Sequence, residues 1–246
     1  MITMAKPDDH TPTRLEALER PPVAEQVENV STVRRDRAVR ILNVVVAFIA
    51  LVITLPVWVI IAALIKLTSR GPVFYTQTRV GLDVRSRSGN RSDSRRVHDL
   101  GGRPFTIYKF RTMTVDAEKP GQAVWASAND QRVTAVGRFL RSCRLDELPQ
   151  LINVLRGEMN IVGPRPERPQ LFAELREQIP HYPLRQRVPP GITGHAQVHL
   201  QYDTSVEDVK RKVAHDLEYI SRRSAWEDLK IMLKTIPVML FRKGGW

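Results

Sequence analysis

The sequence predicts an α+β protein, predominantly helical, in which a re-entrant membrane helix leads into a small β-hairpin and a set of amphipathic interfacial helices. Three observations carry that prediction. The run from Ile41 to Ile65 contains no charged residue. Two short segments rich in β-branched and aromatic residues follow it, and most remaining apolar residues recur three or four apart, as on a helix face.

At 246 residues the chain has room for one ordinary domain with appendages. The reading divides it into a tail over 1–35, a membrane helix over 36–69 and a single domain over 70–246. The tail holds Pro7, Pro12, Pro21 and Pro22 among balanced charges, a composition that favours a mobile segment. The net charge of +12 therefore lies almost entirely after residue 40 and calls for an anionic partner: phospholipid, nucleotide or nucleic acid. A single cysteine, Cys143, excludes an internal disulfide and a thiolate-rich metal site. No Walker loop or Rossmann fingerprint occurs.

As a straight helix the uncharged run would measure about 37 Å, enough to cross a bilayer core. It begins too late and runs too long for a signal peptide. Arg34, Arg35, Arg37 and Arg40 flank one end; Lys66, Arg70 and Arg79 flank the other, so the positive-inside rule names no outer side. Pro56 removes the amide that would bond the Val52 carbonyl and bends the helix there, with Thr54 offering a nearby hydroxyl cap. A kinked, re-entrant helix with both ends on the cytoplasmic face satisfies this charge pattern better than a simple span.

Gly71-Pro72 ends the helix. The segments 73–80 and 105–110 read as the two strands of a hairpin, joined by a loop from Val84 to Arg103 that is dense in Arg, Ser and Gly. Helical spacing runs from Val133 to Leu155, with a break near Arg144 to Glu147 and a stop at Gly157. Pro149 is tolerated only in a first helical turn, which makes Asp146 the expected N-cap. Further helices are predicted near Gln170 to Gln178, over Val206 to Ser221 and over Ala225 to Arg242. The last places Trp226, Leu229, Met232, Leu233 and Ile236 on one face, with Pro237 as an interruption.

Asp146 and Glu147 stand together near a helix start, with Arg138, Arg141, Arg144, Arg156, Arg165 and Arg168 around them in sequence. Carboxylates among arginines suit phosphoryl transfer, because guanidinium groups bind phosphate oxygens and carboxylates supply a nucleophile or a magnesium ligand. The same residues also fit a plain capping aspartate followed by a surface glutamate, and physics alone leaves both readings open.

The passages GPVFYTQTRVG (71–81), FTIYKFRTM (105–113), RLDELPQLINVLRGEMNIVGPRPE (144–167) and PGITGHAQV (190–198) resemble, in order, those of the bacterial sugar transferases, the monotopic phosphoglycosyl transferases. With the preceding hydrophobic run and DLKIMLKTI (228–236), the likeness covers nearly everything from Arg40 onward. It implies a catalytic domain over 70–246 that moves a sugar-1-phosphate from a nucleotide sugar, expected to be UDP-linked, to polyprenyl (undecaprenyl) phosphate. Exopolysaccharide, capsule, O-antigen or glycoconjugate synthesis would begin there. By the same resemblance Asp146 is the nucleophile that forms an aspartyl-phosphosugar, and Glu147 is its partner associated with Mg2+. Lys109, Arg111, Arg141, Arg165, Glu167, Gly191, Thr193 and Gln197 match substrate-binding positions, and Pro56 matches the break of a re-entrant helix. Leu55 replaces the serine that precedes that proline in small family members, the loop over 84–103 is longer, and His195 replaces an aromatic or apolar residue.

The implied partners are a nucleotide sugar, polyprenyl phosphate and membrane phospholipid at the inner membrane, with the catalytic domain facing the cytoplasm. No nucleic acid is expected, a homo-oligomer is compatible with the sequence, and the chain reads as a minimal form without further spanning helices. His195 and His199 have zinc-ligand spacing, but their segment alternates as a strand and shows no third ligand, so no zinc site is assigned. Two rival readings are a membrane-tethered basic docking domain and an inactive assembly factor.

Overall fold

Between Arg37 and Thr68 the chain is apolar, free of glycine and interrupted by one proline, and it forms a continuous helix of 32 residues, α1. The computed structural model describes residues 37–83, 102–115, 130–200 and 205–241, together with Val27 and Ala117. The predicted tail, apart from a buried Val27, and the basic loop, apart from Gly102 and Arg103, lie outside these residues. Over its most apolar stretch α1 has a mean hydropathy of 3.0 with only 11% of it buried, so it is no core helix. Ile41, Phe48, Ile53, Leu55, Val59 and Ile60 point outward; a face this apolar belongs against lipid.

The predicted hairpin is present. Strands β1 (Phe74–Val80) and β2 (Pro104–Phe110) pair antiparallel, with Tyr75 opposite Lys109 and Phe74 opposite Phe110. The helices α2 (Ala135–Ser142) and α3 (Gln150–Arg156) follow, separated by a 3-10 turn at Leu145–Glu147. Then come β3 (Asn160–Val162), α4 (Pro169–Gln178), a second 3-10 turn at Tyr182–Arg187, β4 (Gly191–Thr193), and helices α5 (His195–His199), α6 (Val206–Arg222) and α7 (Ala225–Phe241).

Four features differ from the expectations or add to them. First, β3 and β4 form a parallel pair that the sequence did not announce, since three residues are too few to display alternation. Gly191 is needed in it, because a side chain there would begin 2.1 Å from the Gly163 nitrogen. Second, Asp146 is not the N-cap of α3: Pro149 takes that position, without a side-chain cap, and Asp146 sits in the 3-10 turn before it. Third, α7 runs through Pro237. That proline is exposed, and Thr235, two residues earlier, bonds its hydroxyl to the Ile231 carbonyl at 2.8 Å. The same device precedes Pro56: Thr54 donates to the Ala50 carbonyl at 2.7 Å, four residues back, rather than capping Val52. Fourth, α7 turns Asp228 and Ile231 inward, leaving Trp226, Leu233, Ile236 and Met239 exposed beside Lys230 and Lys234.

Three apolar clusters hold these elements. Phe172, Leu175, Tyr182, Val213, Leu217 and Ile231 join α4, α6 and α7. Ala47 on the first half of α1 packs with Phe105, Ile107, Leu151, Val154 and Met159. Ile61 and Ile65 on its second half pack with Phe110 and Leu140. Both ends of α1 thus rest on the same domain, while the stretch around Val52 to Leu55 does not.

Polar contacts fix those ends. Arg40 donates to the carbonyls of Val154 and Leu155 at 2.7 and 3.0 Å, closing the C-terminus of α3, where Gly157 adopts the left-handed conformation at φ 82°. Asn43, fully buried, accepts from the Ile161 amide at 2.5 Å and donates to Asp228 Oδ2 at 3.2 Å; Tyr219 donates to Asp228 Oδ1 at 2.7 Å. At the other end Trp58, Phe74 and Phe110 meet with ring centroids 5.4 to 6.2 Å apart.

Candidate active site

Lys109 leaves β2 one residue before its end, and α3 is fastened alongside by Asn153. That buried amide donates to the Thr106 carbonyl at 2.7 Å and accepts from the Tyr108 amide at 3.2 Å. Arg144, preceding the 3-10 turn, adopts φ 55°, an uncommon conformation for a residue with a side chain, and it reverses the chain between α2 and the turn. The reversal carries Asp146 and Glu147 inward: they are 7% and 5% exposed.

The two carboxylates have unequal surroundings. Glu147 Oε1 accepts from Lys109 Nζ at 2.7 Å and from Arg165 Nη2 at 2.6 Å, and its Oε2 lies 3.4 Å from Arg165 Nη1. Burial alone would raise its pKa, but the Arg165 and Lys109 charges override that and hold it well below the usual carboxylate range. Asp146 receives no hydrogen bond among the described residues. Its burial raises its pKa; the Lys109 charge opposes that rise and the Glu147 charge adds to it, with Arg141 and Arg165 as further opposing charges. Lys109 is itself lowered by burial, although Glu147 works the other way. One carboxylate is thus tied down by cations, and its neighbour lies within their field without a hydrogen bond among the described residues.

Arg141 reaches this group from α2, its Nε held by Thr112 Oγ1 at 2.9 Å. The α2 helix lies so close to Thr112 that a side chain at Gly137 would begin 2.0 Å from the Thr112 carbonyl oxygen. Asp146, Glu147, Lys109, Arg141 and Arg165 are therefore one site, assembled from β2, α2, the 3-10 turn and the segment after β3.

The remaining predicted residues are placed elsewhere. Arg111 points at the end of α1, donating to the Arg70 carbonyl, to the Ser69 carbonyl at 3.0 Å and to Ser69 Oγ at 2.8 Å. Glu167 lies 3.7 Å from Arg185 and 3.6 Å from Lys212. Burial pushes its pKa up, but Lys212, Arg185 and Arg79 bring the balance below the usual value. Gly191 donates its amide to the Pro164 carbonyl at 2.9 Å, next to Arg165. Thr193 Oγ1 lies 2.9 Å from Thr235 Oγ1, and Gln197 donates to the Ile192 carbonyl at 3.0 Å. These last three align β4 and α7 behind the proline-rich segment.

Sequence reasoning missed the scaffold that aims Arg165. Buried Arg185 donates to Asp216 at 2.7 Å, to the Tyr182 hydroxyl at 2.9 Å and to the Arg165 carbonyl at 3.2 Å. Arg79 donates to the Pro166 carbonyl at 3.0 Å. Gln150 was missed too: it is 1% exposed, and its Nε2 has no hydrogen-bond partner among the described residues. The only sequence signal for it was an amide among apolar helix positions.

The ion pairs of Glu147 make a measurable difference to stability. Because its folded pKa is depressed, the contribution is complete above the unfolded value of about 4.3 and is lost as pH falls through the folded one. Denaturation midpoints of the wild type and Glu147→Gln should differ most at about pH 7, and the difference should shrink as pH falls below about 4. A difference that stays constant over that range contradicts the pairing.

Comparison with known proteins agrees with this geometry. The sequence model of the bacterial sugar transferases matches residues 34–242. The chain is 40% identical over 204 residues to the UDP-N-acetylgalactosamine-undecaprenyl-phosphate N-acetylgalactosaminephosphotransferase of Aeromonas hydrophila, covering 83% of this chain and 44% of that protein. It is 42% identical over 203 residues to the UDP-glucose:undecaprenyl-phosphate glucose-1-phosphate transferase of Caulobacter vibrioides, covering 82% of this chain and 69% of that protein. Exopolysaccharide production protein ExoY of Rhizobium meliloti is 35% identical over 223 residues, with 85% and 88% covered. The chain spans less than half of the Aeromonas protein and 39% of a Klebsiella pneumoniae relative. With a match over most of its length and the motif carboxylates gathered among arginines and a lysine, the chain belongs to the bacterial sugar transferase family.

Proposed function

We propose that this protein transfers a sugar-1-phosphate from a UDP-sugar to undecaprenyl phosphate through a covalent intermediate on Asp146, initiating a polysaccharide or glycoconjugate. The observation that carries the reading is the division of labour in the buried pair, in which Glu147 engages the cations and Asp146 has no hydrogen bond among the described residues. The activities named for the Aeromonas and Caulobacter relatives support the donor and acceptor classes.

In the first step an Asp146 carboxylate oxygen attacks the phosphorus that bears the sugar. A bond from that oxygen to phosphorus forms as the bond to the nucleoside monophosphate breaks, and its electrons leave with that group. In the second step a lipid phosphate oxygen attacks the same phosphorus and Asp146 departs as carboxylate, so no net proton is consumed. Arg141 and Arg165, whose charges act on Asp146, would neutralise phosphate oxygens, and Lys109 holds Glu147 in place. A nucleophilic Asp146 must be ionised, so its raised pKa predicts a loss of activity on acidification that begins above the ordinary aspartate range.

The donor chemistry here fits magnesium: Glu147 Oε2 and the Asp146 oxygens are hard ligands, and Oε2 meets Arg165 only at 3.4 Å. Glu147, together with substrate phosphates, would hold the ion. When bound, Mg2+ supplies positive charge that screens the diphosphate.

Both ends of α1 lie against one domain, which supports a re-entrant helix whose two ends share the cytoplasmic side of the inner membrane. The exposed face of α7, with Trp226, Leu233 and Ile236 beside Lys230 and Lys234, suits the headgroup layer. This arrangement sets the site at the membrane surface, where a polyprenyl phosphate presents its head.

Two experiments test the proposal. Protein incubated with UDP-sugars and no acceptor should carry a sugar-phosphate mass on Asp146 that Asp146→Asn lacks; transfer by folded Asp146→Asn at the wild-type rate refutes it. Single cysteines at Arg37 and Ser69, in a Cys143→Ser background, should react with an impermeant maleimide from the same side of sealed vesicles. Opposite-side labelling refutes the re-entrant arrangement alone.

A further inference from the structure

Away from the carboxylate site, three of the chain's six histidines converge. His195 and His199 are one helical turn apart on α5, and His215 faces them from α6, 5% exposed. The expectation of a strand without a third ligand is overturned on both counts: residues 195–199 are helical, and the third imidazole comes from a separate element.

The rings lie with centroids 4.3, 5.2 and 5.6 Å apart, and each offers a nitrogen within 4.8 Å of the others. His195 Nδ1 and His215 Nδ1 are separated by 3.3 Å. Two nitrogens bound to zinc at about 2.0–2.1 Å, at a tetrahedral angle, stand about 3.3 Å apart. His199 Nδ1 lies 2.8 Å from the His195 carbonyl oxygen, which can only accept. Nδ1 therefore carries the hydrogen and Nε2 keeps its lone pair for a ligand bond, the usual arrangement for a metal-binding histidine oriented by a carbonyl. The nearest carboxylate in sequence, Asp216, is engaged by Arg185.

We propose that His195, His199 and His215 bind one divalent transition-metal ion, zinc by the chemistry of the donors, and that the ion staples α5 to α6. An all-imidazole set selects zinc, copper or nickel over magnesium or calcium, so this site is chemically distinct from the carboxylate pair. Exposed His199 leaves the remaining coordination position to water. Because β4 runs into α5 through Gly194, and Gln197 ties α5 back to the Ile192 carbonyl, the ion anchors the strand that pairs with β3 beside Arg165. Its role is to hold this corner of the domain in place rather than to react.

The test uses untagged full-length protein in detergent, stripped with chelator and titrated with Zn2+ alone. One equivalent should bind, raise the melting temperature and give way to Co2+ with the visible absorption of a tetrahedral site. His199→Gln, at an exposed position that leaves the core intact, should weaken binding by about 100-fold or more. His181→Gln and Asp146→Asn should leave it unchanged. Absence of stoichiometric zinc overturns the proposal and leaves three packed imidazoles. Uptake that survives both His195→Gln and His199→Gln, or that disappears in Asp146→Asn, overturns it by placing the ion elsewhere.

Discussion

The ion pairs that Glu147 makes with Arg165 and Lys109 are the constraint on which the rest of the site depends. Two adjacent carboxylates at these exposures would repel each other and each would favour its neutral form. Directing two cations onto Glu147 eases the conflict: its charge is compensated, while Asp146, without a hydrogen bond among the described residues, keeps a raised pKa within the same positive field. In the proposed mechanism, hydrogen bonds to both would weaken Asp146 as a nucleophile, and cations on neither would favour protonation of the pair. The geometry that achieves this needs β2, α3 and the proline-rich segment in register, which explains the buried polar side chains at their junctions.

Those junctions form a second tier. Asn153 fastens α3 to β2, Arg185 holds the Arg165 backbone, and Asn43 ties α1 to β3 and α7. Each is a polar group buried at a point where elements distant in sequence meet, and each would be costly to leave unpaired. The apolar helix is therefore part of the catalytic domain's architecture as well as its attachment. Its first half shares a core with Leu151 and Val154 of α3, the helix that begins three residues after Glu147.

Local signals were legible in the sequence and non-local ones were not. The uncharged run, the aromatic strand pair, Gly157 as a stop and the helices at α4 and α6 follow from spacing and turn chemistry among near neighbours. The carboxylates and their arginines were visible as a motif, but the inequality between Asp146 and Glu147 was not, because it depends on which carboxylate Lys109 reaches. Arg111 read as a companion of Lys109, yet it lies one residue past the end of β2, and its guanidinium meets the end of α1. The β3–β4 pair, the link from Asn43 to Asp228 and the third histidine all join residues whose proximity exists only after folding. Pro237 misled because its exposed position lets the helix lose one amide bond without ending.

The proposal that Asp146 takes up the phosphosugar before a lipid acceptor is engaged is tested most directly by isotope exchange without any lipid acceptor. Labelled UMP mixed with protein and the proposed UDP-sugar donor should appear in the UDP-sugar pool, because an enzyme-bound phosphosugar can return to UMP. Exchange should vanish in Asp146→Asn. Exchange that appears only once polyprenyl phosphate is added would mean that the lipid attacks the donor directly, and that Asp146 is not the nucleophile.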